Sequence, residues 1–445
     1  METFIKISQF LLSLSFLIIL HEMGHFAPAK WFKTRVEKFY LFFDAWGAKL
    51  FSRQKGETEY GIGWLPLGGY VKIAGMVDES MDTAALKAPP QPWEFRSKPA
   101  WQRLIIMIGG VTVNFILGFL IFAYILWHYG EVYVPNSELK YGVAVDSVLL
   151  RQGLRQGDMI LSVGNTRFDR LDEAGFLKAI ALDNQHNVKV LRDGQEQTII
   201  LPDDIAAQIT SAGIQKKLLI MARIPFYAEK LKKGDPADKA GIQVGDRIVA
   251  FNGQPTEFFD QFGPLARAHK GQPAVVTVER NGERKDISLT VSPQGSIGVF
   301  PKAVSKILNV SRDRYTLAEA LPAGVQRGMD FLSDQVKAFG QMFRGKISAK
   351  DNLGSLISIG NMFPPYWDWE IFWNITASLS IVLAFMNLLP IPALDGGYVM
   401  FLIWEVVTGR RVSDAFMEKA VTIGFFLLIG LMLFAFGLDL MRFVF

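Results

Sequence analysis

The sequence predicts a multi-pass α-helical membrane protein with four transmembrane helices and two extramembrane α/β modules. Half of its 445 residues are apolar and 13% are aromatic, which is high for a soluble protein. Four stretches are long and apolar enough to span a bilayer, and a β-rich region that repeats itself lies between the second and the third. The spans are predicted at residues 4–26, 104–128, 372–391 and 420–438.

Lysine and arginine are distributed unevenly among the loops. The loop after the first span is rich in both, and the loop between the last two spans holds Arg410, Arg411 and Lys419. By the positive-inside rule these two loops are cytoplasmic, so both termini and the central region are predicted to be extracytoplasmic. The first span lacks a small-residue cleavage site, and we expect it to stay attached.

Composition excludes several classes of protein and of site. The net charge is only +4, which gives no case for a nucleic-acid partner. The chain has no cysteine, so a disulfide framework and a thiolate metal site are both excluded. Any bound metal must therefore be held by histidine, aspartate or glutamate.

The central region contains two copies of one module. Residues 153–160 match residues 241–248, and Asp193-Gly194 matches Asn281-Gly282, all at one offset of 88 residues. Alternating strands around the two turn dipeptides predict a β-hairpin in each copy. The pattern A-G-I-x-x-G-D-x-I that begins at Ala240 is similar to PDZ domains, which bind extended peptides at a sheet edge. We predict PDZ-like modules at 136–215 and 216–300, which either bind peptide ends or obstruct access to the membrane region.

The remaining segments complete the predicted organisation. Residues 1–135 form the N-terminal half of the membrane domain, and residues 366–445 form its C-terminal half. Between the modules and the third span, residues 301–365 carry apolar side chains at helical spacing, among them Leu321, Val325 and Met329. They predict an amphipathic helix that either lies at the membrane interface or packs on the modules.

A charged motif interrupts the first span. Residues 21–25 read H-E-M-G-H, the H-E-x-x-H pattern. On a helix, His21 and His25 are four residues apart and present both imidazoles to one side, where they can share a Zn²⁺. Glu22 stands beside them and can take a proton from water. Ionisable residues are costly within a bilayer, so this motif predicts a metallohydrolase site.

A zinc hydrolase uses three protein ligands, and the motif supplies two. Asp395 is the only acidic residue between Glu370 and Glu405, and it follows a Pro-rich break at the end of the third span. The first and third spans run in the same predicted direction, so Asp395 falls at the same depth as the two histidines. Broken helix is tolerated in a membrane where it lines a polar cavity. Asp395 is therefore the predicted third ligand.

Together these motifs resemble the site-2 protease family of intramembrane zinc metalloproteases. The resemblance rests on H-E-x-x-H in the first span, N-x-x-P-x-P-x-L-D-G at 387–396, and the tandem PDZ-like modules, and it covers nearly the whole chain. It implies Zn²⁺ held by His21, His25 and Asp395, with Glu22 as the catalytic acid/base and Asn387 holding an unwound substrate. It also implies a location in the bacterial inner membrane.

Residues 63–73 resemble the membrane-reentrant β-hairpin of the same family, whose edge would pair with an extended substrate. This likeness assigns Gly68, Gly69 and Tyr70 to substrate binding. The expected activity is hydrolysis of a peptide bond within or near the transmembrane segment of a single-spanning protein. Such substrates would be trimmed beforehand, as anti-sigma factors or remnant signal peptides are, and the PDZ-like modules would gate their access.

The expected partners are single-pass substrates and the lipid bilayer, and the sequence leaves the oligomeric state open. An alternative is a PDZ-bearing membrane scaffold or chaperone with a structural metal site. Glu22 separates the two interpretations, because a structural site has no use for a catalytic carboxylate. A transporter lacks support, since no inverted repeat relates the spans.

Overall fold

The computed structural model describes residues 1–66, 68–76, 89–211, 218–348, 350 and 354–443. The chain forms two compact units. The first comprises Met1–Gly130, Arg314–Val336 and Asn352–Phe445, and the second comprises Glu131–Asp313 and Lys337–Asp351. The predicted boundary between the two modules, at residues 215 and 216, lies outside the described residues.

The first unit opens with a long helix, a small sheet and a second long helix. Two helices and four strands make up this part: α1 (Glu2–Trp31), β1 (Val36–Leu41), β2 (Lys49–Lys55), β3 (Thr58–Gly63), β4 (Tyr70–Ile73) and α2 (Ala100–His128). The strand order is β2-β3-β1-β4, with β1 parallel to β3 and antiparallel to β4. Both helices extend a few residues beyond their predicted spans, because polar end turns continue the helical backbone.

The sheet corrects the predicted hairpin at residues 63–73. Strands β3 and β4 do not pair with each other; both pair with β1, which lies between them. The physical reason is burial, since Val36 and Tyr40 of β1 are both 0% exposed and such a strand belongs in the middle of a sheet. Strand β4 is left at the end of the sheet, and no strand in the described part of the chain pairs with its outer edge.

The second unit contains the repeated modules. The first copy consists of β6 (Val143–Val145), α3 (Ser147–Arg151), β7 (Met159–Val163), β8 (Thr166–Arg167), α4 (Glu173–Ala181), β9 (Asn187–Arg192), β10 (Gln195–Ile200), α5 (Ile205–Ser211) and β11 (Ile220–Ala222). The second consists of β12 (Ala228–Leu231), α6 (Pro236–Ala240), β13 (Arg247–Phe251), β14 (Gln254–Pro255), α7 (Phe259–Ala268), β15 (Pro273–Arg280), β16 (Glu283–Thr290) and β17 (Val299–Pro301).

The two copies share one topology. Each has a four-stranded antiparallel sheet, ordered β10-β9-β7-β8 in the first and β16-β15-β13-β14 in the second, and a separate two-stranded sheet. The predicted hairpins are confirmed, with Asp193 and Asn281 at φ of 51° and 53° as type I′ turns require. The repeat is therefore structural, while the likeness to PDZ domains stays a prediction.

A buried ion pair recurs in both copies at the repeat offset. Arg192 donates to both carboxylate oxygens of Asp158 and to the Gly153 carbonyl. Arg280 does the same for Asp246 and Gly241 in the second copy. The two aspartates are 1% and 2% exposed, so the bidentate pair satisfies charges that would otherwise be buried alone.

Asp158→Ala and Asp246→Ala are each expected to destabilise their own module by about 2 kcal/mol, because hydrogen bonds between charged groups are lost. Hydrogen exchange on the full-length chain would measure this separately in each four-stranded sheet. Glu283→Ala is the matched control, since its pair with Lys285 is exposed and should contribute less than about 0.5 kcal/mol. Equal protection in all three variants would contradict the role of the buried pairs.

A short antiparallel ladder joins the two ends of the segment 131–313, which makes up most of the second unit. Strand β5 (Glu131–Tyr133) pairs with β18 (Ser311–Asp313), with Glu131 opposite Asp313. Residues far apart in sequence therefore become neighbours immediately after α2. We call this β5–β18 ladder the stem.

The C-terminal part of the chain is helical. It contains α8 (Leu317–Phe343), α9 (Leu356–Met362), α10 (Trp369–Leu388), α11 (Asp395–Thr408) and α12 (Asp414–Phe443). A loop is predicted between the last two spans, whereas the structure has the helix α11 there. A short apolar helix after a Pro-rich break carries no sequence signal of its own. Helix α8 lies within the predicted amphipathic segment, whose place at the membrane interface or on the modules stays a prediction. Arg327 donates to Asn374 of α10 within the first unit, and Lys337 pairs with Asp183 within the second.

Four helices among the described residues are long and apolar enough to cross a membrane: Glu2–Trp31, Ala100–His128, Trp369–Leu388 and Ala415–Met441. They correspond to the four predicted spans. Polar side chains link them, as when Ser13 of α1 bonds Thr376 of α10 and Ser380 of α10 donates to the Asn114 carbonyl of α2. Such bonds support helix association in lipid, where apolar surface alone does not drive it.

Candidate metal centre

The two histidines of the H-E-x-x-H motif lie on one face of α1 and are buried. His21 is 8% exposed and His25 is 6% exposed, and their Nε2 atoms are 3.3 Å apart. The Nδ1 atom of His25 lies 2.9 Å from the backbone carbonyl of Ile106 in α2. A carbonyl only accepts, so Nδ1 carries the proton and Nε2 is left with a free lone pair for a metal.

Asp395 reaches the same place from the first residue of α11. The chain turns sharply between α10 and α11, with Ala393 at a φ of 87°, a conformation that non-glycine residues adopt at a cost. Gly396 and Gly397 allow the turn, because a Cβ on either would lie 2.7 Å or less from a backbone carbonyl. The break that the sequence predicted thus serves to aim one carboxylate at the histidines.

Three donor atoms converge at this point. Asp395 Oδ2 lies 3.2 Å from His21 Nε2 and 3.3 Å from His25 Nε2. Zinc bonds of 2.0–2.1 Å arranged tetrahedrally would separate their ligand atoms by roughly 3.3–3.4 Å, which is nearly the triangle observed. Oδ2 is buried and accepts no well-directed hydrogen bond from the described residues. Lone pairs that face one another in this way fit a cation between them, and the donor set suits zinc.

Glu22 is half-buried beside this triangle. Its carboxylate lies near His21, His25 and Asp395 and beside the backbone of Val71 in β4. Gly69 lies just before β4, and a Cβ there would meet Ile18 at 2.5 Å and Glu22 Cγ at 3.4 Å. The absence of a side chain at Gly69 therefore lets the end strand of the sheet lie directly against the motif helix.

The other predicted substrate-binding residues lie at different distances from the triangle. Asn387, at the end of α10, brings its Nδ2 atom to 3.2 Å from His21 Nε2. Gly68 packs against the ring of Phe43. The Tyr70 hydroxyl donates to Asp44, and its ring stacks on Tyr40 and Phe43, so this side chain belongs to the sheet. The Tyr70 side chain is therefore engaged within the sheet, and any role of this residue in substrate binding falls to its backbone.

One buried polar residue at the metal centre, Asn114, is not among the site residues predicted from the sequence. Asn114 of α2 is 0% exposed, and its Nδ2 atom lies 3.1 Å from His21 Nδ1. The signal that could have found it is an amide within an otherwise apolar span, since polar residues at that depth are costly and usually functional.

Helices α1 and α2 approach each other closely at the metal centre. Pro28 has no N–H to offer the Gly24 carbonyl, and a Cβ added at Gly109 would lie 2.0 Å from that oxygen. A Cβ added at Gly110 would lie 2.3 Å from His25 Nε2 and 2.7 Å from His21 Cε1. Glycine at 110 thus leaves the space in which the imidazoles meet.

Gly110→Ala is expected to displace His25 and to lower both metal content and activity at least tenfold, although alanine favours a helix over glycine by about 1 kcal/mol. Gly430→Ala in α12 is the matched control, because a Cβ there meets no described atom within 4 Å. Metal analysis of the two purified variants would measure the difference. If both variants kept wild-type zinc, the proposed crowding at Gly110 would be wrong.

The chain is similar to known proteins over nearly its whole length. Residues 9–431 match the family description of peptidase family M50. The chain is 30% identical to the protease RseP of Yersinia pestis, over 96% of each chain. It is 29% identical to the regulator of sigma-E protease RseP of Salmonella typhimurium over 96% of each chain, and 29% identical to a sequence-predicted zinc metalloprotease of Pasteurella multocida over 98% of each.

The four apolar helices, together with the similarity to the RseP proteases, make this chain an integral protein of the inner membrane. Zinc is its metal, as the names of the relatives and the donor set both indicate. The chain belongs to peptidase family M50 and is a zinc metalloprotease.

Proposed function

We propose that this protein is an intramembrane endopeptidase that cuts single-spanning proteins within or near their transmembrane segments. The observation that carries the proposal is the triangle of His21, His25 and Asp395 donor atoms. Both histidines lie on a helix that is apolar enough to span a bilayer, and Asp395 follows the end of another such helix. A metal centre in that position gives hydrolytic chemistry access to peptide bonds that soluble proteases do not reach.

His21, His25 and Asp395 hold the zinc through Nε2, Nε2 and Oδ2. Bound zinc supplies a Lewis acid that polarises a substrate carbonyl and makes water easier to deprotonate. Glu22 accepts the proton of the attacking water and then gives it to the leaving nitrogen. Asn387 lies close enough to offer its amide N–H to the substrate carbonyl as negative charge develops there.

The substrate must be unwound before it is cut, because a transmembrane helix hides its peptide groups in internal hydrogen bonds. We propose that an extended segment of the substrate pairs with strand β4, at the edge of its sheet. Gly68, Gly69 and the backbone of Tyr70 lie at the start of this edge, beside Glu22. Strand addition at β4 would therefore deliver an extended segment next to the catalytic residues.

The relatives named as regulators of sigma-E protease suggest the substrate class. We propose anti-sigma factors of the single-pass type, already trimmed on their extracytoplasmic side, and also remnant signal peptides. Both substrates would keep a membrane helix with little attached on its extracytoplasmic side. The proposed orientation places the modules and both termini outside the cytoplasm, as the basic loops predict.

The two modules, with their likeness to PDZ domains, are proposed to gate access by excluding substrates with large extracytoplasmic domains. The stem allows the modules to be removed without separating the strands on either side, because Tyr133 and Ser311 are paired and a short loop can join them.

Replacing residues 134–310 by a Gly-Ser linker is expected to let the enzyme cut an untrimmed substrate at least tenfold faster. Cleavage of purified substrates in vesicles, with the product mapped by mass spectrometry, would measure this.

Cleavage of a trimmed substrate is the internal control, and its rate should change little in the shortened chain. Removal of zinc with a chelator should abolish both reactions, and adding zinc back should restore them. If the shortened chain still rejected the untrimmed substrate, gating by the modules would be refuted. If neither chain cut the trimmed substrate, the proposed endopeptidase function itself would be refuted.

A further inference from the structure

The second nitrogen of each histidine at the metal centre has a different kind of partner. His25 Nδ1 faces the Ile106 carbonyl at 2.9 Å, and backbone fixes that partner. His21 Nδ1 faces a side chain, the amide of Asn114, at 3.1 Å. The orientation of His21 therefore depends on one replaceable residue, and that residue lies 93 positions away on another helix.

The role of His21 Nε2 as a metal ligand determines which ring nitrogen carries the proton. His21 uses Nε2 in the donor triangle, and a neutral imidazole carries one N–H, so the proton is on Nδ1. An N–H needs an acceptor opposite it. The Asn114 Oδ1 atom is buried and has no hydrogen-bond partner among the described residues. A half-turn of the amide exchanges its two ends and brings this orphaned oxygen to the Nδ1 proton.

We propose that Asn114 is a positioning residue for the metal centre, with Oδ1 accepting the Nδ1 proton of His21 so that Nε2 is free and aimed at zinc. This inference rests on the proposed function of His21 as a ligand. The backbone of Asn114 is itself anchored, because its carbonyl accepts from Ser380 of α10 at 2.7 Å. Asn114 thus connects α1, α2 and α10 at the depth of the metal centre.

Partners of this kind make a ligand more basic and fix its ring, and losing one weakens metal binding by roughly 10- to 100-fold. Asn114→Leu keeps the approximate size of the side chain and removes the acceptor. Asn114→Asp keeps an oxygen and makes it a stronger acceptor. Competition of each full-length variant against a chelator of known zinc affinity measures binding directly, without relying on proteolysis.

Asn114→Leu is expected to bind zinc 10- to 100-fold more weakly, while Asn114→Asp binds at least as tightly as the wild type. Ser380→Ala, which removes only the bond to the Asn114 backbone, should stay within about threefold. Wild-type affinity in Asn114→Leu would overturn the inference, as would a loss in Asn114→Asp as large as that in Asn114→Leu. If Asn114→Leu does not fold, Asn114→Asp decides alone, and tenfold weaker binding than the wild type overturns the proposal.

The same measurement separates this inference from the proposed function. A wild-type chain that holds no zinc would refute the ligand assignment on which everything else rests. A wild-type chain that holds about one zinc, together with an Asn114→Leu variant of unchanged affinity, would refute only the role of Asn114.

Discussion

Glu22→Gln is expected to abolish proteolysis and to leave zinc binding intact. Glutamine keeps the size of the side chain and loses the ability to accept and return a proton. General acid–base catalysis typically raises a reaction rate by about 10²- to 10⁴-fold, and that gain would be lost. Glu22 is not one of the three converging donors, so the metal content should stay near one zinc per chain. Cleavage of a trimmed single-spanning substrate, with metal analysis of the same sample, would test both halves of the prediction.

Glu2→Gln is the matched control, since Glu2 lies in the first turn of the same helix and is exposed. It should behave as the wild type. A Glu22→Gln chain that cut substrate within tenfold of the wild-type rate would contradict the assigned role. A scaffold or chaperone with a structural metal site predicts no loss of function, so this one substitution distinguishes the alternative.

The inactive Glu22→Gln form also offers a route to the substrates. Membrane peptides that accumulate in cells carrying it, but not in cells carrying Glu2→Gln, are the uncut candidates. Anti-sigma factor fragments and signal-peptide remnants give different mass spectra, so the two proposed classes can be told apart.

Asp395→Ala is expected to remove zinc and activity together. Two imidazoles remain after the substitution, and a third protein ligand is what zinc hydrolases use to retain the metal. We expect zinc binding more than 100-fold weaker, a larger loss than removal of an outer hydrogen-bond partner causes. Bound metal also stabilises the folded state, so the zinc-free variant should unfold at a lower temperature than the zinc-loaded wild type.

Metal analysis and a thermal unfolding curve on one preparation would measure both effects. Glu418→Ala is the matched control, because this acidic residue is exposed in α12. It should keep its zinc. An Asp395→Ala chain with about one zinc would show that the triangle is not the metal centre, whatever its activity.

Local pattern was sufficient for much of the candidate site. Spacing alone put His21 and His25 on one helical face, and the scarcity of acids near the third span singled out Asp395. Repetition at one offset predicted the paired modules and their hairpins, whose turns are fixed by the residues within them. These features depend on residues close together in the chain, on how often a residue type occurs, or on a constant offset between repeats.

Other features were decided only by contacts between distant residues. The segment at 63–73 looks like a hairpin in sequence, yet β4 pairs with β1, because burial of Val36 and Tyr40 puts β1 in the middle of the sheet. The sequence also carried no signal for α11, the short helix that directly follows the Pro-rich break.

The class of protein and the chemistry of its centre can be read from the residues alone: four apolar spans, a repeated module, and three side chains able to hold zinc. Packing between distant segments sets what surrounds those side chains. It set Asn114 against His21, left no room for a side chain at Gly110, and placed the end strand of the sheet beside Glu22. The physical reason is that apolar length and helical spacing act locally, whereas an orienting hydrogen bond or a close helix crossing exists only after separate segments have packed.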